Sequence, residues 1–221
     1  MRINNYIDHT LLKATATKEE ILRLCNEAKK YNFYAVCVNG SYVEVAKEEL
    51  QNSNVKIAAV IGFPLGAMTT ESKVFEAINC VEKGATEIDM VINIGRLLDG
   101  ENEYVENEIR LIKKAIGDIV LKVIFENCYL SKEQIKKVSQ LAVNAGADFV
   151  KTATGFGTSG ATFEDVQIMK SVVKDKAKIK AAGGVRDKET AEKYIKMGVT
   201  RLGTSSGVSL VTKGVSDTNK Y

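Results

Sequence analysis

Short apolar runs alternate with longer segments in which apolar residues recur at helical spacing, and the alternation holds along nearly the whole chain. The runs predict buried strands at 6–9, 35–38, 57–62, 87–92, 120–125, 149–152, 179–182 and 201–203. They recur at intervals of roughly 22–34 residues, the length of one strand–helix unit. Between them, Thr17 with Glu20, Ser41 with Glu44 and Ser131 with Gln134 have capping-box spacing, in which side chains satisfy the free amides of a helix start. At the other ends, Gly84, Gly146 and Gly198 each precede a strand, as a left-handed glycine closing a helix does.

Eight such units in 221 residues fit a single-domain (β/α)8 barrel, that is, a TIM barrel. An open doubly wound sheet fits the alternation equally well. The strand ends separate the two. Unusual polar residues sit there on many strands: Asp8, Cys37, Asp89 with Asn93, Glu126, Lys151, Lys180 and Ser205. A barrel gathers such residues from several strands, whereas an open sheet concentrates them at one switch point. The barrel is expected over residues 1–213, with a polar tail at 214–221.

Composition narrows the partners. The chain is 45% hydrophobic and 27% charged, an ordinary globular balance. A net charge of +3 argues for neither nucleic acid nor an anionic membrane. No apolar stretch approaches the ~18 residues of a membrane span, and the first residues lack the apolar region of a signal peptide. Cys25, Cys37, Cys80 and Cys128 form no C-x-x-C pair, so reduced thiols and a cytoplasmic location are expected. His9 is the only histidine, which excludes a metal site built from several imidazoles; neither a metal nor a cofactor is expected.

Two lysines carry the candidate chemistry. Lys151 and Lys180 each end an apolar run and lead within a few residues into glycine. Burial disfavours an ammonium, and a neutral amine is a nucleophile. Moving a lysine from ~10.4 to ~7 takes roughly 4–5 kcal/mol, part of which a second cation can supply. Asp89 is a carboxylate inside an apolar strand, either a proton relay beside the amine or a structural counter-charge. Lys122 is a third strand lysine whose default is a structural charge partner, and the default for Cys37 is a core thiol. His9 stands open between a hydrogen-bonding strand residue and a chemical one.

The glycine motifs include two decoys. Residues 155–160 match G-x-G-x-x-G, but no acid ends the following strand to hold a ribose. Residues 203–207 match G-x-S-x-G, but the histidine that a hydrolase needs later in the chain is missing. A phosphate site unites both loops. Gly155, Gly183, Gly184 and Gly203 follow strands six to eight and let backbone amides approach an oxyanion, with Ser205 and Ser206 as hydroxyl donors. Arg186 stands open between a phosphate ligand and a rim ion pair. The ligand these features suit is a phosphorylated small molecule.

Residues 6–13 (YIDHTLLK), 62–66 (GFPLG), 87–93 (EIDMVIN), 149–155 (FVKTATG), 180–186 (KAAGGVR) and 203–207 (GTSSG) together closely resemble the deoxyribose-phosphate aldolase family, from about residue 6 to 213. The resemblance implies a class I aldolase that reversibly cleaves 2-deoxy-D-ribose 5-phosphate to acetaldehyde and D-glyceraldehyde 3-phosphate. It makes Lys151 the Schiff-base lysine, Lys180 and Asp89 the proton-transfer pair, and the glycine and serine loops the phosphate ligands. Ala153 and Asn127 depart from the usual serine and threonine. Some relatives end in a tail whose terminal tyrosine assists proton transfer, which makes Tyr221 a candidate here. Relatives are monomers or dimers, so a homodimer stays open. Two competing readings are a Schiff-base aldolase for another phosphosugar and a phosphosugar-binding barrel without catalysis; the intact Lys151, Lys180 and Asp89 set argues against the second.

Overall fold

The computed structural model describes residues 2–212; Tyr221 and the expected tail lie outside the described residues. Eight parallel strands close into a barrel in sequence order. They are β1 (Ile7–Leu11), β2 (Ala35–Asn39), β3 (Lys56–Ile61), β4 (Glu87–Val91), β5 (Val120–Ile124), β6 (Phe149–Lys151), β7 (Lys178–Ala182) and β8 (Arg201–Thr204). Closure is made by β8 pairing back onto β1, with Asp8 opposite Gly203. The open-sheet alternative is thereby excluded. The first strand starts one residue later than expected and runs on to Leu11, because its ladder with β2 continues to Leu11 opposite Val38.

The outer layer is α1 (Lys18–Tyr31), α2 (Val43–Glu49), α3 (Thr70–Lys83), α5 (Asn102–Ile116), α6 (Lys132–Asn144), α7 (Phe163–Val173) and α8 (Lys188–Lys196). Two short additions, α4 (Ile94–Leu98) and α9 (Gly207–Thr212), follow β4 and β8. Among the described residues no helix is long and apolar enough to cross a membrane.

Helix ends follow local chemistry. Thr17 and Ser131 form full capping boxes with Glu20 and Gln134. The box expected at Ser41 does not form. Residues Gly40–Tyr42 make a 3-10 turn, and α2 begins only at the fully buried Val43, behind a Tyr42 that gives no side-chain cap. The Tyr42 hydroxyl instead donates to the carbonyl of Ala16 at 2.6 Å.

Most of the apolar core lies between strands and helices. Inside the barrel lies a small apolar cluster of Leu12, Cys37, Ala58 and Val60, with Phe63 packed against it. Barrel interiors are normally filled by layers of branched apolar side chains. Here much of that volume holds Asp8, Glu87, Asp89, Lys122, Lys151, Lys180 and Arg201, all buried. Register brings them together. Asp89 pairs with Lys122 across β4 and β5, and Lys180 pairs with both Lys151 and Arg201. Residues directly opposite in a ladder point to the same face.

Candidate active site

A cavity of about 610 Å³ opens at the carboxyl ends of the strands. Lys151, the last residue of β6, lies on its wall, and its Nζ donates to Asp89 Oδ2 at 2.8 Å. Asp89 also accepts from Lys122 at 2.7 Å and from Lys180 at 2.8 Å. Lys180 is bonded in turn to Asp8. Asp8, Asp89, Lys122 and Lys180 do not line the cavity; they lie beneath Lys151, and all four are fully buried. The expectation of strand-end positions is corrected for Asp8, Asp89 and Lys180, while Lys122 was expected within its strand as a charge partner. Asp89, Lys122 and Lys180 are each the third residue of a five-residue strand.

The charges move one another in opposite directions. Burial lowers Lys151 and the Lys180 charge adds to that; together they outweigh the pull of Asp89, so the amine sits below the ordinary lysine range. Burial alone would lower Lys180 too, but Asp8 and Asp89 outweigh it and hold Lys180 above that range. Burial would raise Asp89, yet Lys122, Lys151 and Lys180 keep its carboxyl well below the usual range. The site thus holds one lysine disposed to be an amine beside one fixed as a cation. Pairs of groups pushed apart in this way mark acid–base chemistry.

The loops around the cavity are tied to one another. Glu126, in left-handed conformation just past β5 (φ 56°), accepts from the amide of Thr154 at 3.2 Å and from its hydroxyl. This positions Thr154 on the cavity wall, and burial pushes the Glu126 carboxyl up. The amide of Ala161 donates to the carbonyls of Ala182 and Gly183 at 3.1 and 3.0 Å. That crossing needs bare backbone, since a Cβ on Gly160 would meet the carbonyl of Gly183 at 2.3 Å. Thr204 Oγ1 donates to the carbonyl of Val185 at 2.7 Å and accepts from the amide of Ser206.

Of the expected phosphate residues, Gly155, Gly183, Gly203, Ser205 and Ser206 line the cavity. Gly184 and Arg186 are exposed and lie beyond the lining, because the chain has already turned outward toward α8. Cys37 is fully buried in the small apolar cluster, and burial pushes its thiol up, so it is a core thiol. His9 is a hydrogen-bonded wall residue. Its Nε2 is 2.7 Å from Glu27, and its ring meets Phe33 edge-on at 5.1 Å. Ala153 and Asn127 are buried and do not reach the cavity. Asn93 caps α4 by accepting from the amide of Arg96.

Sequence reasoning passed over Glu87, Arg201 and Thr154. Glu87 had a readable signal, since it lies two residues before Asp89 and so shares its face of the strand. Arg201 opens its strand and reads as a rim residue. Among the described residues, no group of three or more His, Cys, Asp or Glu side chains is arranged to hold a metal ion.

A closed barrel that buries one amine against a carboxylate, below a cavity ringed by glycine and serine loops, defines a barrel lyase of the amine-catalysed kind. The comparisons agree. The model of the DeoC/LacD family aldolases matches residues 3–214, and the chain belongs to that family. Deoxyribose-phosphate aldolase 1 of Mesoplasma florum is 55% identical over 221 residues, covering 100% of both chains. Deoxyribose-phosphate aldolase of Treponema denticola is 51% identical over 214 residues, 96% of this chain and 99% of that one. The tetrameric deoxyribose phosphate aldolase of Aeropyrum pernix superposes with a TM-score of 0.86 at 33% identity, over 95% of this chain and 89% of that one.

Proposed function

We propose that this chain is a class I aldolase that reversibly cleaves 2-deoxy-D-ribose 5-phosphate to D-glyceraldehyde 3-phosphate and acetaldehyde, with Lys151 as its Schiff-base residue. One observation carries the assignment of Lys151: among the described residues it alone of the buried lysines reaches the cavity, and it does so 2.8 Å from a carboxylate.

The mechanism follows from the positions. The Lys151 amine adds to the C1 aldehyde of the open-chain sugar, and loss of water leaves an iminium. The proton of the C3 hydroxyl passes through a water to Asp89, with Lys180 holding that carboxylate in place. As the C2–C3 bond breaks, its electron pair enters the iminium and forms an enamine, while C3 leaves as the aldehyde of glyceraldehyde 3-phosphate. The proton taken up by Asp89 returns through the water to C2 of the enamine, and addition of water to the resulting iminium releases acetaldehyde and restores the amine. Lys180 remains a cation throughout and favours the uncharged form of Lys151. The phosphate is held by the loops at Gly155, Gly183, Ser205 and Ser206, whose small residues admit backbone donors to an oxyanion.

Reduction of the enzyme–sugar mixture with borohydride, followed by peptide mass spectrometry, tests the reading. An adduct on Lys151 is expected. An adduct on Lys180 reverses the two lysine roles, and no adduct in folded protein that binds the sugar phosphate removes the enzyme assignment.

A further inference from the structure

Six of the seven charged side chains inside the barrel form a closed circuit of alternating sign. From Asp89 it runs to Lys122 at 2.7 Å, Glu87 at 2.5 Å, Arg201 at 2.9 Å and Asp8 at 2.9 Å. It continues from Asp8 to Lys180 and returns from Lys180 to Asp89 at 2.8 Å. Three carboxylates and three cations balance. Lys151 is the seventh, attached to the circuit through Asp89 alone at 2.8 Å. A proton on Lys151 therefore leaves a net positive charge in the buried interior, and burial of an unbalanced charge is strongly opposed.

Arg201 and Glu87 close the far side of this circuit. The Arg201 guanidinium reaches both Asp8 and Glu87 through Nη1 and lies 3.5 Å from the Tyr34 ring centre. Phe149 lies beneath it and beneath Lys122, at 5.3 and 6.0 Å. Neither Arg201 nor Glu87 lines the cavity. The circuit would otherwise end at Asp8 and Lys122, whose charges would have no second partner.

We propose that Glu87 and Arg201 are positioning residues that, by completing a balanced circuit of six charges, leave the attached Lys151 as the one group that gives up its proton. The inference rests on Lys151 being the reacting amine. The titratable and charged groups sharing the barrel interior with Lys151 are Asp8 on β1, the Cys37 thiol on β2, Glu87 and Asp89 on β4, and Lys122 on β5, of which Asp89 and Cys37 act on it directly, as Lys180 does. Glu126 lies just past β5, Lys180 is on β7 and Arg201 on β8, while β3 presents Ala58 and Val60; Lys56 and Lys178 continue the inward faces of β3 and β7 at their exposed first residues. Only the circuit members and Lys151 itself carry fixed charge within the barrel walls.

A structural role and a charge-setting role separate by sign. Glu87→Gln leaves the circuit one unit positive, so Lys151 should lose its proton more readily. Arg201→Met leaves it one unit negative, so Lys151 should hold its proton. The experiment is reductive trapping of acetaldehyde on Lys151 by cyanoborohydride, followed against pH in each variant. The midpoint is expected to fall in Glu87→Gln and to rise in Arg201→Met, by about one pH unit each, a tenfold change in amine fraction on the acid side. Arg201→Lys keeps the charge and should keep the midpoint. Folded variants whose midpoints stay put, or move in the same direction, overturn the inference. Should Arg201→Met fail to fold, the near-isosteric Glu87→Gln decides alone, and an unmoved or raised midpoint there overturns it. Absence of a Lys151 adduct in the unmodified protein would overturn the functional reading, a result distinguishable from unmoved midpoints.

Discussion

Lys180 tests how far one residue acts through its charge. It stands between Asp8 and Asp89, fully buried and away from the cavity, so its replacement removes no direct contact with substrate. Lys180→Leu takes away the cation that lowers Lys151 and leaves Asp89 to stabilise the ammonium form. Turnover below the Lys151 midpoint should fall by roughly tenfold for each unit by which that midpoint rises, and that loss should return as the pH is raised. A loss that is equal at every pH, measured as kcat across a pH series, would mean that Lys180 supports the fold rather than the charge state. At this scale the sequence was readable wherever a polar residue interrupts an apolar run. Asp89, Lys122, Lys151 and Lys180 all do so, and all four lie in the cluster. Arg201 and Glu87 each begin a strand, where a charged residue is ordinary, and only barrel closure turns them inward. Arg186 was open between a phosphate ligand and a rim ion pair, and it lies exposed beyond the cavity lining, where the chain has turned outward.

Helix starts show the same limit one level up. Three capping boxes have the right letters, and only two form. Thr17→Ala and Ser131→Ala each remove an acceptor for a helix amide and should destabilise the protein by about 1 kcal/mol. Ser41→Ala should stay within ~0.5 kcal/mol, as an ordinary surface change does. Urea unfolding of the three variants checks both, and an equal loss at Ser41 would place a cap there after all. The reason is tertiary: the Tyr42 hydroxyl bonds to Ala16 and Val43 is buried, so the chain enters α2 through a 3-10 turn. Strand positions were more legible than caps because a buried strand must be apolar over several residues, while a cap rests on two. The joints at Gly84, Gly146 and Gly198 were legible for a further reason: each has positive φ, a region that side chains other than glycine rarely adopt.

Across the whole molecule, the pH dependence of stability and of activity should meet at one group. Asp8 and Asp89 are held below the usual carboxylate range, so their contribution is present at neutral pH and lost only as the pH falls through those depressed values. Lys122 and Lys180 are held above the usual lysine range, so theirs is lost only as the pH rises beyond it. These four groups are therefore silent between the limits. Lys151 is not, because its folded value is lowered. Between that value and the unfolded ~10.4 the unfolded chain binds one more proton than the native one, and stability rises with pH by up to ~1.4 kcal/mol per unit. Cys25, Cys37 and Cys80 act with the opposite sign above ~8.5, since burial raises all three thiols. The informative window thus lies between the carboxylate range and the thiol range, and the informative quantity is a difference. Subtracting the stability of Lys151→Leu from that of the unmodified protein, pH by pH, should leave a rising slope that begins where the acid limb of kcat/KM ends. Urea titrations at half-unit intervals measure the first quantity and initial rates the second. A difference that stays flat above the acid limb as well would mean that the group controlling the rate is not Lys151, whatever residue the sugar is found attached to.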